Sequence, residues 1–363
     1  MHSCCYRCFK DRWLKALIHE YADRLGTCEF CDSKSVALVD VNVLRDPIRN
    51  LLSLYTPLSA GNVLLPWEDP LDVGDLLTDL VQEDWDIFSE ALADSEKALD
   101  LLYEIDLSGW EKDSGEDVID RGDLYTRRGN VYHTSATEAW QAYCEDIRTN
   151  PDQDPDFDIP IEHELFKAET PIAKGTILFR ARAGCNCDDN GNNHPYVGGD
   201  IGVPPQEKAK AARLTREGEA LLYCADQEAT AVGEVRPWRG LVVTVAKFRA
   251  RKDLRVLDLS KRLLRPNPFI TEQLGYELEM TRLINGFGEE LSLPLERPDD
   301  AYGYIPSQKL SEIIRRAGFD GVRYRSAMAP GGTNVALYDP AAVEFTQSKL
   351  LKIISIDIQS DEG

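Results

Sequence analysis

The spacing of apolar positions changes near residue 160 of this 363-residue chain. Beyond that point, short runs rich in β-branched and aromatic residues alternate with turns, which is the pattern of strands. We expect strands over residues 177–181, 220–225, 241–248, 254–259, 321–326 and 334–338. Longer amphipathic segments predict helices over 270–287 and 307–317, the second ended by Gly318. Strands with inserted helices and no regular alternation predict an α+β domain with a mixed sheet.

The part before residue 160 has a helical pattern. Between residues 44 and 149 we expect an acidic helical domain, in which apolar residues at three- and four-residue steps form one face. The residues of this face are Trp85, Phe88, Leu92, Leu99 and Leu102. A run rich in Pro and Asp then predicts a linker over 150–164, because such a run resists both helix and sheet. The domain after it covers 165–358, with a short tail at 359–363.

Two C-x₂-C pairs stand at the beginning of the chain. They are Cys5-Tyr-Arg-Cys8 and Cys28-Glu-Phe-Cys31. Four thiolates complete the tetrahedral shell of a structural Zn²⁺, which leaves no open position for catalysis. Residues 1–43 are therefore expected to be a zinc-binding module, with Cys4 as an alternative to Cys5. The competing interpretation is a set of unrelated buried or reduced cysteines. Between the pairs, four-residue spacing predicts a helix that carries Trp13, Leu17, Tyr21 and Leu25.

Charge narrows the choice of partners. The formal net charge of −22 argues against direct binding of nucleic acid, whose phosphates require Lys and Arg. The charge is uneven, since residues 235–265 contain 10 basic and 2 acidic residues and can offer a positive surface to an anionic ligand. No apolar run reaches the ~20 residues that span a bilayer. The first residues lack the apolar stretch of a signal peptide, so we expect a cytoplasmic protein without a membrane segment.

Three pieces of the second half carry candidate chemistry. The strand at 177–182 presents Arg180 and Arg182 on one face, and a guanidinium is suited to a diphosphate. The next piece brings Tyr223 on a strand and Glu234 eleven residues later on a short helix. The last places Ser326 at a strand end before a glycine turn. Each residue alone has an ordinary explanation, as a surface cation, a core aromatic, a helix carboxylate or a strand-end hydroxyl.

In combination these pieces resemble the RES family of bacterial toxins, which is named for its Arg, Glu and Ser. The resemblance covers 165–358 and includes the Glu-Val-Arg-Pro run at 234–237 and Val-Leu-Asp-Leu at 256–259. It implies a fold similar to ADP-ribosyltransferases and assigns catalytic roles to Arg180, Tyr223, Glu234 and Ser326. Arg213 corresponds to the arginine of the family's Gly-Arg-x-Asn-Pro-x-Gly segment. Thr215 and Arg216 depart from that segment, because they stand where Asn and Pro are usual.

The resemblance implies NAD⁺ as a consumed substrate, and no Gly-x-Gly-x-x-Gly signature of a hydride carrier is present. Breaking the nicotinamide–ribose bond passes through an oxocarbenium-like state, which Glu234 would stabilise. Tyr223 would stack on the nicotinamide, and Ser326 would bond to the nicotinamide or the ribose. Arg180 and Arg213 would hold the diphosphate, with Arg182 as a substitute for Arg180.

The predicted function is an intracellular NAD⁺ glycohydrolase or phosphorylase, acting as a toxin in a toxin–antitoxin or antiphage defence system. Two alternatives stay open: a protein ADP-ribosyltransferase, and a non-catalytic interaction protein with a degenerate RES domain. An antitoxin or regulatory protein is the expected partner, and the acceptor, the trigger and any homo-oligomer are left open. The C-x₂-C pairs and the run at 26–31 resemble the N-terminal domain that precedes RES or HEPN effectors.

A polar loop with Cys185, Cys187 and His194 interrupts the second half. One C-x-C pair and a distant histidine are too few ligands for a second metal site. We expect a mobile loop there, with a lid over the cleft as its functional alternative.

Overall fold

The computed structural model describes residues 2–60, 69–92, 95–107, 122–128, 135–150, 161–271, 273–293 and 304–356. The chain forms two compact units. The first, the cysteine unit, comprises Met1–Thr134 and Arg265–Glu279, and the second, the sheet unit, comprises Ser135–Leu264 and Met280–Gly363. The α+β class with a mixed sheet is confirmed. Most of the predicted linker and the tail at 359–363 lie outside the described residues, so those boundaries stay predictions.

The cysteine unit combines a small antiparallel sheet with helices. The sheet has the order β1-β3-β2. The strands of this unit are β1 (Ser3–Cys5), β2 (Arg24–Gly26), β3 (Val36–Asp40), β4 (Tyr55–Pro57) and β5 (Tyr125–Arg127). Its helices are α1 (Arg12–Tyr21), α2 (Arg45–Leu52), α3 (Pro70–Val73), α4 (Leu77–Trp85) and α5 (Ser95–Leu107).

The helix predicted between the cysteine pairs is α1, in which Trp13 and Leu17 pack against the core, but it is shorter than predicted. The buried residues of α1 are Leu14 and Ile18, whereas Tyr21 is exposed. The helix ends at Tyr21, so Leu25 lies on β2, where it is 78% exposed. The Asp11 side chain accepts hydrogen bonds from the backbone N–H groups of Trp13 and Leu14, which fixes where α1 begins.

The apolar face predicted over residues 85–102 is not a single helix, which corrects the sequence interpretation. α4 ends at Trp85 because Asp86 adopts a left-handed conformation with φ of 47°. Phe88 and Leu92 are buried in the connection that follows, and α5 begins only at Ser95. The apolar residues do share one core, but they reach it from separate elements.

An eight-stranded sheet dominates the sheet unit. Its order is β15-β11-β7-β10-β14-β13-β12-β6, and every neighbouring pair is antiparallel except β12 and β13. The strands are β6 (Glu169–Ile172), β7 (Ile177–Ala183), β10 (Leu222–Ala225), β11 (Val242–Ala250), β12 (Leu254–Asp258), β13 (Gly321–Arg325), β14 (Thr333–Leu337) and β15 (Val343–Lys352). A separate hairpin is formed by β8 (Asn186–Cys187) and β9 (Asn193–His194). All six predicted strands are present within about two residues, whereas β6 and β15 were not predicted.

Helices complete the sheet unit. They are α6 (Ala136–Thr149), α7 (Glu162–Lys167), α8 (Glu228–Glu234), α9 (Leu274–Ser292, whose first residues belong to the cysteine unit) and α10 (Ile305–Arg316). A capping box of Ser135 and Glu138 begins α6. Trp140 of α6 stacks on Phe287 of α9 with ring centroids 5.3 Å apart. Within the described part of the chain, no helix is both long and apolar enough to cross a membrane.

Candidate active site

A cavity of about 370 Å³ opens in the sheet unit, a volume within the roughly 300–1,000 Å³ usual for small-molecule sites. Strands β10, β13 and β14 are consecutive in the middle of the sheet and send side chains into it. The rest of the lining comes from the end of α8 and the residue Arg236 after it, the loop before β10, the turn after β13, the end of α9 and the residue before α10. The polar and aromatic residues of the lining are Arg213, Tyr223, Glu234, Arg236, Tyr304, Tyr324 and Asn334.

The carboxylate of Glu234 is held by two hydrogen-bond donors at the cavity. Ser326 donates from Oγ to Glu234 Oε1 over 2.5 Å, and Asn334 donates from Nδ2 to the same oxygen over 2.7 Å. Among the described residues, none donates a hydrogen bond to Oε2. The carboxylate is thus oriented by one oxygen, and the other is left for a ligand.

The position of Glu234 follows from how α8 packs. Val232, two residues earlier, packs against the cluster of Leu241, Val243 and Val245. Gly233 lets the helix end approach the turn after β13, since a Cβ there would lie 3.3 Å from the carbonyl oxygen of Met328. The last residue of this short helix therefore reaches the cavity rim.

The hydroxyl of Ser326 is fixed in direction. Its oxygen accepts hydrogen bonds from the backbone N–H groups of Met328 at 3.1 Å and Ala329 at 3.0 Å. Both acceptor positions are thereby filled, and the proton is directed to Glu234. The turn closes on Gly332, where a Cβ would lie 2.1 Å from Oγ1 of Thr230 on α8. A glycine is required there for the turn to rest on α8.

Asn334 is a site residue that the sequence analysis missed. It is only 5% exposed, and its strand neighbours are Tyr324 on β13 and Ala225 on β10. Burial of an amide demands hydrogen-bond partners, and Glu234 supplies one. The signal in the sequence was an asparagine inside the apolar run that becomes β14.

Two tyrosines give the cavity an apolar and uncharged wall. Burial raises the pKa of Tyr223 to about 12 and raises that of Tyr324 further, so both phenols are neutral at physiological pH. The hydroxyl oxygen of Tyr223 is buried, and the nearby Thr215 side chain does not meet it in regular hydrogen-bond geometry. Such a group is costly unless a ligand or water completes its hydrogen bonding.

Arg213 lies on a tight turn that α10 holds from behind. Buried polar side chains of α10 bond to the carbonyl groups of this turn: Ser307 to Arg213, Gln308 to Ala212 and Thr215, and Ser311 to Leu214. The guanidinium of Arg213 also donates to the carbonyl of Glu290. These bonds explain how the departures at Thr215 and Arg216 still leave Arg213 at the cavity.

Arg180 and Arg182 are not among the residues that line the cavity. Arg180 donates from Nε to the carbonyl of Ile201 at 2.8 Å and from Nη1 to that of Tyr223 at 2.7 Å. Arg182 lies over the ring of Tyr196, 4.5 Å from its centroid, and donates to the carbonyl of Asp200. Both guanidinium groups thus hold the loop after β9, and their contact with a diphosphate stays a prediction.

The polar loop that contains Cys185, Cys187 and His194 includes the hairpin of β8 and β9, and side chains of the loop bond to one another. His194 lies 3.0 Å from a carboxylate oxygen of Asp188, and this contact lowers the pKa of Asp188. Cys187 contacts Asn193 across the hairpin. Within the described ranges, neither Cys185 nor Cys187 belongs to a group of three or more potential metal ligands.

The N-terminal cysteines do form such a group. The sulfur atoms of Cys5, Cys8, Cys28 and Cys31 all lie within 4.8 Å of one another. Two sulfur pairs, Cys5 with Cys31 and Cys8 with Cys28, are 3.5 Å apart. A regular tetrahedron with metal–sulfur distances of ~2.3 Å has edges of about 3.8 Å, so the cluster could hold a metal ion. Cys5, and not Cys4, is the member from β1.

Part of the chain is similar to known proteins. The family model of the RES domain matches residues 177–356. The crystal structure of the M. tuberculosis MbcT–MbcA toxin–antitoxin complex is among the similar solved structures, with 16% sequence identity and a TM-score of 0.30. That similarity covers 53% of this chain and 92% of the other. No curated protein matches the chain in a sequence comparison.

Proposed function

Since residues 177–356 form a RES domain, we propose that the chain consumes NAD⁺ by breaking the bond between nicotinamide and ribose. One observation carries the proposal: the carboxylate of Glu234 faces a cavity while Ser326 and Asn334 hold it through a single oxygen. A fixed negative charge at that place is what a developing ribosyl cation needs. A fold similar to ADP-ribosyltransferases is part of the same proposal, because the RES domain implies it.

The proposed reaction is a substitution at C1′ of the ribose. The C1′–nitrogen bond breaks, its electron pair leaves with neutral nicotinamide, and C1′ gains positive charge. Oε2 of Glu234 accepts hydrogen bonds from the ribose hydroxyls and stabilises that charge. The acceptor then forms a bond to C1′ and releases its proton. Water, phosphate and a protein side chain all remain open as acceptors.

The rest of the cavity supports the binding of nicotinamide and its ribose. The ring of Tyr223 offers a face for stacking, and its buried hydroxyl offers a hydrogen bond. Arg213 supplies positive charge for the diphosphate. The predicted roles of Arg180 and Arg182 become, in this proposal, the support of the loop at 196–201 beside β10.

The test is to incubate the purified chain with NAD⁺ labelled in its adenosine part. Release of nicotinamide together with a soluble labelled product is the expected result. Transfer of the label to protein would favour the alternative, a protein ADP-ribosyltransferase. Intact NAD⁺ would overturn both and favour a non-catalytic interaction protein.

A toxic effect in the cell is the biological side of the proposal. RES proteins are known as toxins, and an antitoxin or regulatory protein would then keep this chain inactive. Induced expression should lower cellular NAD⁺ and stop growth, whereas Glu234→Gln should do neither. Growth arrest by both forms, with unchanged NAD⁺, would contradict an NAD⁺-consuming toxin. The cytoplasm and a role in toxin–antitoxin or antiphage defence stay predictions.

A structural Zn²⁺ in the cysteine unit is a second proposal, supported by the four clustered sulfurs. Cys5, Cys8 and Cys28 are fully buried, so a bound ion would be part of the core. We expect about one Zn²⁺ per purified chain and a lower melting temperature after chelation. Cys28→Ser should lose the metal, whereas Cys187→Ser, a control on the exposed hairpin, should keep it. A metal-free chain of unchanged stability would overturn the proposal.

A further inference from the structure

Arg236 is a cavity residue to which the sequence analysis assigned no role. It follows α8 after one residue, and its exposed side chain contributes to the cavity lining together with Glu234 and Arg213. Its backbone N–H donates to the carbonyl of Gly233 at 2.9 Å. This bond makes Arg236 the residue that turns the chain away from the helix end.

The backbone of Arg236 is in an unfavourable conformation. Its φ of 48° lies in the left-handed region, which glycine adopts freely and other residues adopt at a cost. The next residue is Pro237, which itself favours an extended residue before it. A glycine would suit this helix end better than an arginine. Strain of this kind is concentrated at functional sites, which points to a role for the side chain.

The charge of Arg236 is not balanced by any carboxylate among the described residues. In the part of the chain that the structure describes, no carboxylate forms an ion pair with its guanidinium. The guanidinium of Arg213 in the same lining is bonded to a backbone carbonyl. The cavity therefore presents two arginine side chains that form no ion pair with a described carboxylate. Glu234, two residues before Arg236, forms no ion pair with either of them. Guanidinium groups in this state suit the oxygens of a diphosphate.

We propose that Arg236 binds the diphosphate of the dinucleotide, together with Arg213. The inference rests on the proposed function and deepens it, because it names the residue that selects a diphosphate-containing substrate. Arg236 lies two residues beyond Glu234, so a ligand whose diphosphate meets Arg236 has its ribose close to the carboxylate.

The test measures equilibrium binding of ADP-ribose, which contains the diphosphate, and of nicotinamide, which lacks it. The variants are Arg236→Gly and, as a matched control, Arg239→Gly, which alters an exposed arginine outside the lining. Arg236→Gly should weaken ADP-ribose binding roughly 10- to 100-fold, as expected for a lost charge-assisted bond. Nicotinamide affinity should change less than about twofold, and the melting temperature should stay equal or rise because glycine accepts the backbone conformation. Arg239→Gly should leave ADP-ribose affinity unchanged.

Three results would overturn the inference. They are unchanged ADP-ribose affinity in Arg236→Gly, an equal loss for both ligands with a lower melting temperature, and no ADP-ribose binding by the wild-type chain. Binding needs no turnover, so the outcome is separable from that of the proposed function. A chain that binds ADP-ribose through Arg236 but leaves NAD⁺ intact would keep this inference and refute the cleavage.

Discussion

Replacing Glu234 by glutamine removes the charge of the carboxylate and preserves its surroundings. The amide oxygen of glutamine can accept the same two hydrogen bonds that Ser326 and Asn334 donate to Oε1. The side chain is at the cavity rim and makes no ion pair among the described residues, so we expect no measurable change in melting temperature. The effect should fall on the transition state alone.

The magnitude follows from the lost attraction between the carboxylate and the ribosyl cation. Two unit charges about 4 Å apart interact by ~4 kcal/mol at an effective dielectric constant of about 20. Glu234 is exposed, so solvent screening reduces this value, and we take about 2–4 kcal/mol. That loss corresponds to a decrease in kcat of roughly 30- to 1,000-fold. Binding of the uncharged ribose should persist, so KM should change less than about threefold.

The assay follows nicotinamide release at saturating NAD⁺, with Glu228→Gln as the matched control. Glu228 begins the same helix, pairs with Lys349 at 2.8 Å and lies outside the cavity lining. A kcat of Glu234→Gln within threefold of the wild-type value would refute the reasoning. An equal loss in Glu228→Gln would attribute the effect to the helix and not to the carboxylate.

Three further predictions follow from the same geometry. Gly332→Ala should lower the free energy of unfolding by about 1–3 kcal/mol in a denaturant titration, because its Cβ would collide with Thr230. The control Gly199→Ala, with no atom within 4 Å of the added Cβ, should leave the free energy of unfolding unchanged. Equal free energies of unfolding in the two variants would contradict the required close approach. Ser326→Ala should lower kcat about tenfold, because Glu234 loses a hydrogen bond that orients it, and a rate equal to the wild type would contradict that role. Burial raises the pKa of Tyr223 to about 12, from about 10 in the unfolded chain. The folded state therefore keeps its full stability below about pH 10, where the phenol is neutral in both states. About 2–3 kcal/mol of unfolding free energy is lost as the pH rises from 10 toward 12. Tyr223→Phe should therefore lose less unfolding free energy between about pH 9 and pH 11 than the wild type, and an identical loss would contradict the burial effect.

The predicted strands rest on signals that are local in sequence, whereas Glu234 and Ser326 were found through the resemblance to the RES family. β-branched runs bounded by glycine turns mark β11, β13 and β14, and the resemblance supplied the order of the site pieces. Asn334 was missed although it interrupts an apolar run, because the resemblance assigned it no role and its contact with Glu234 exists only in the folded chain. An amide in a strand becomes informative only when burial on the central strand is known.

The arginines show a second limit of the sequence. Arg180 and Arg182 were correctly placed on one strand, but the carbonyl oxygens that they bind belong to Asp200 and Ile201 in a later loop and, for Arg180, also to Tyr223 on β10. The feature that indicates a role for Arg236 is its backbone φ angle, which cannot be read from the pattern of residues. The sequence also could not decide between Cys4 and Cys5 as the metal ligand. Adjacent strand residues point to opposite faces, and only the folded chain shows that Cys5 faces the other three sulfurs.

A crystal structure of Glu234→Gln soaked with NAD⁺ would test the central claim most directly. We predict that the nicotinamide ribose lies in the cavity, with a ribose hydroxyl within about 3 Å of the side chain of residue 234. The diphosphate should contact Arg213 and Arg236. A dinucleotide bound elsewhere on the chain, or one with its adenine in place of the nicotinamide, would contradict the account.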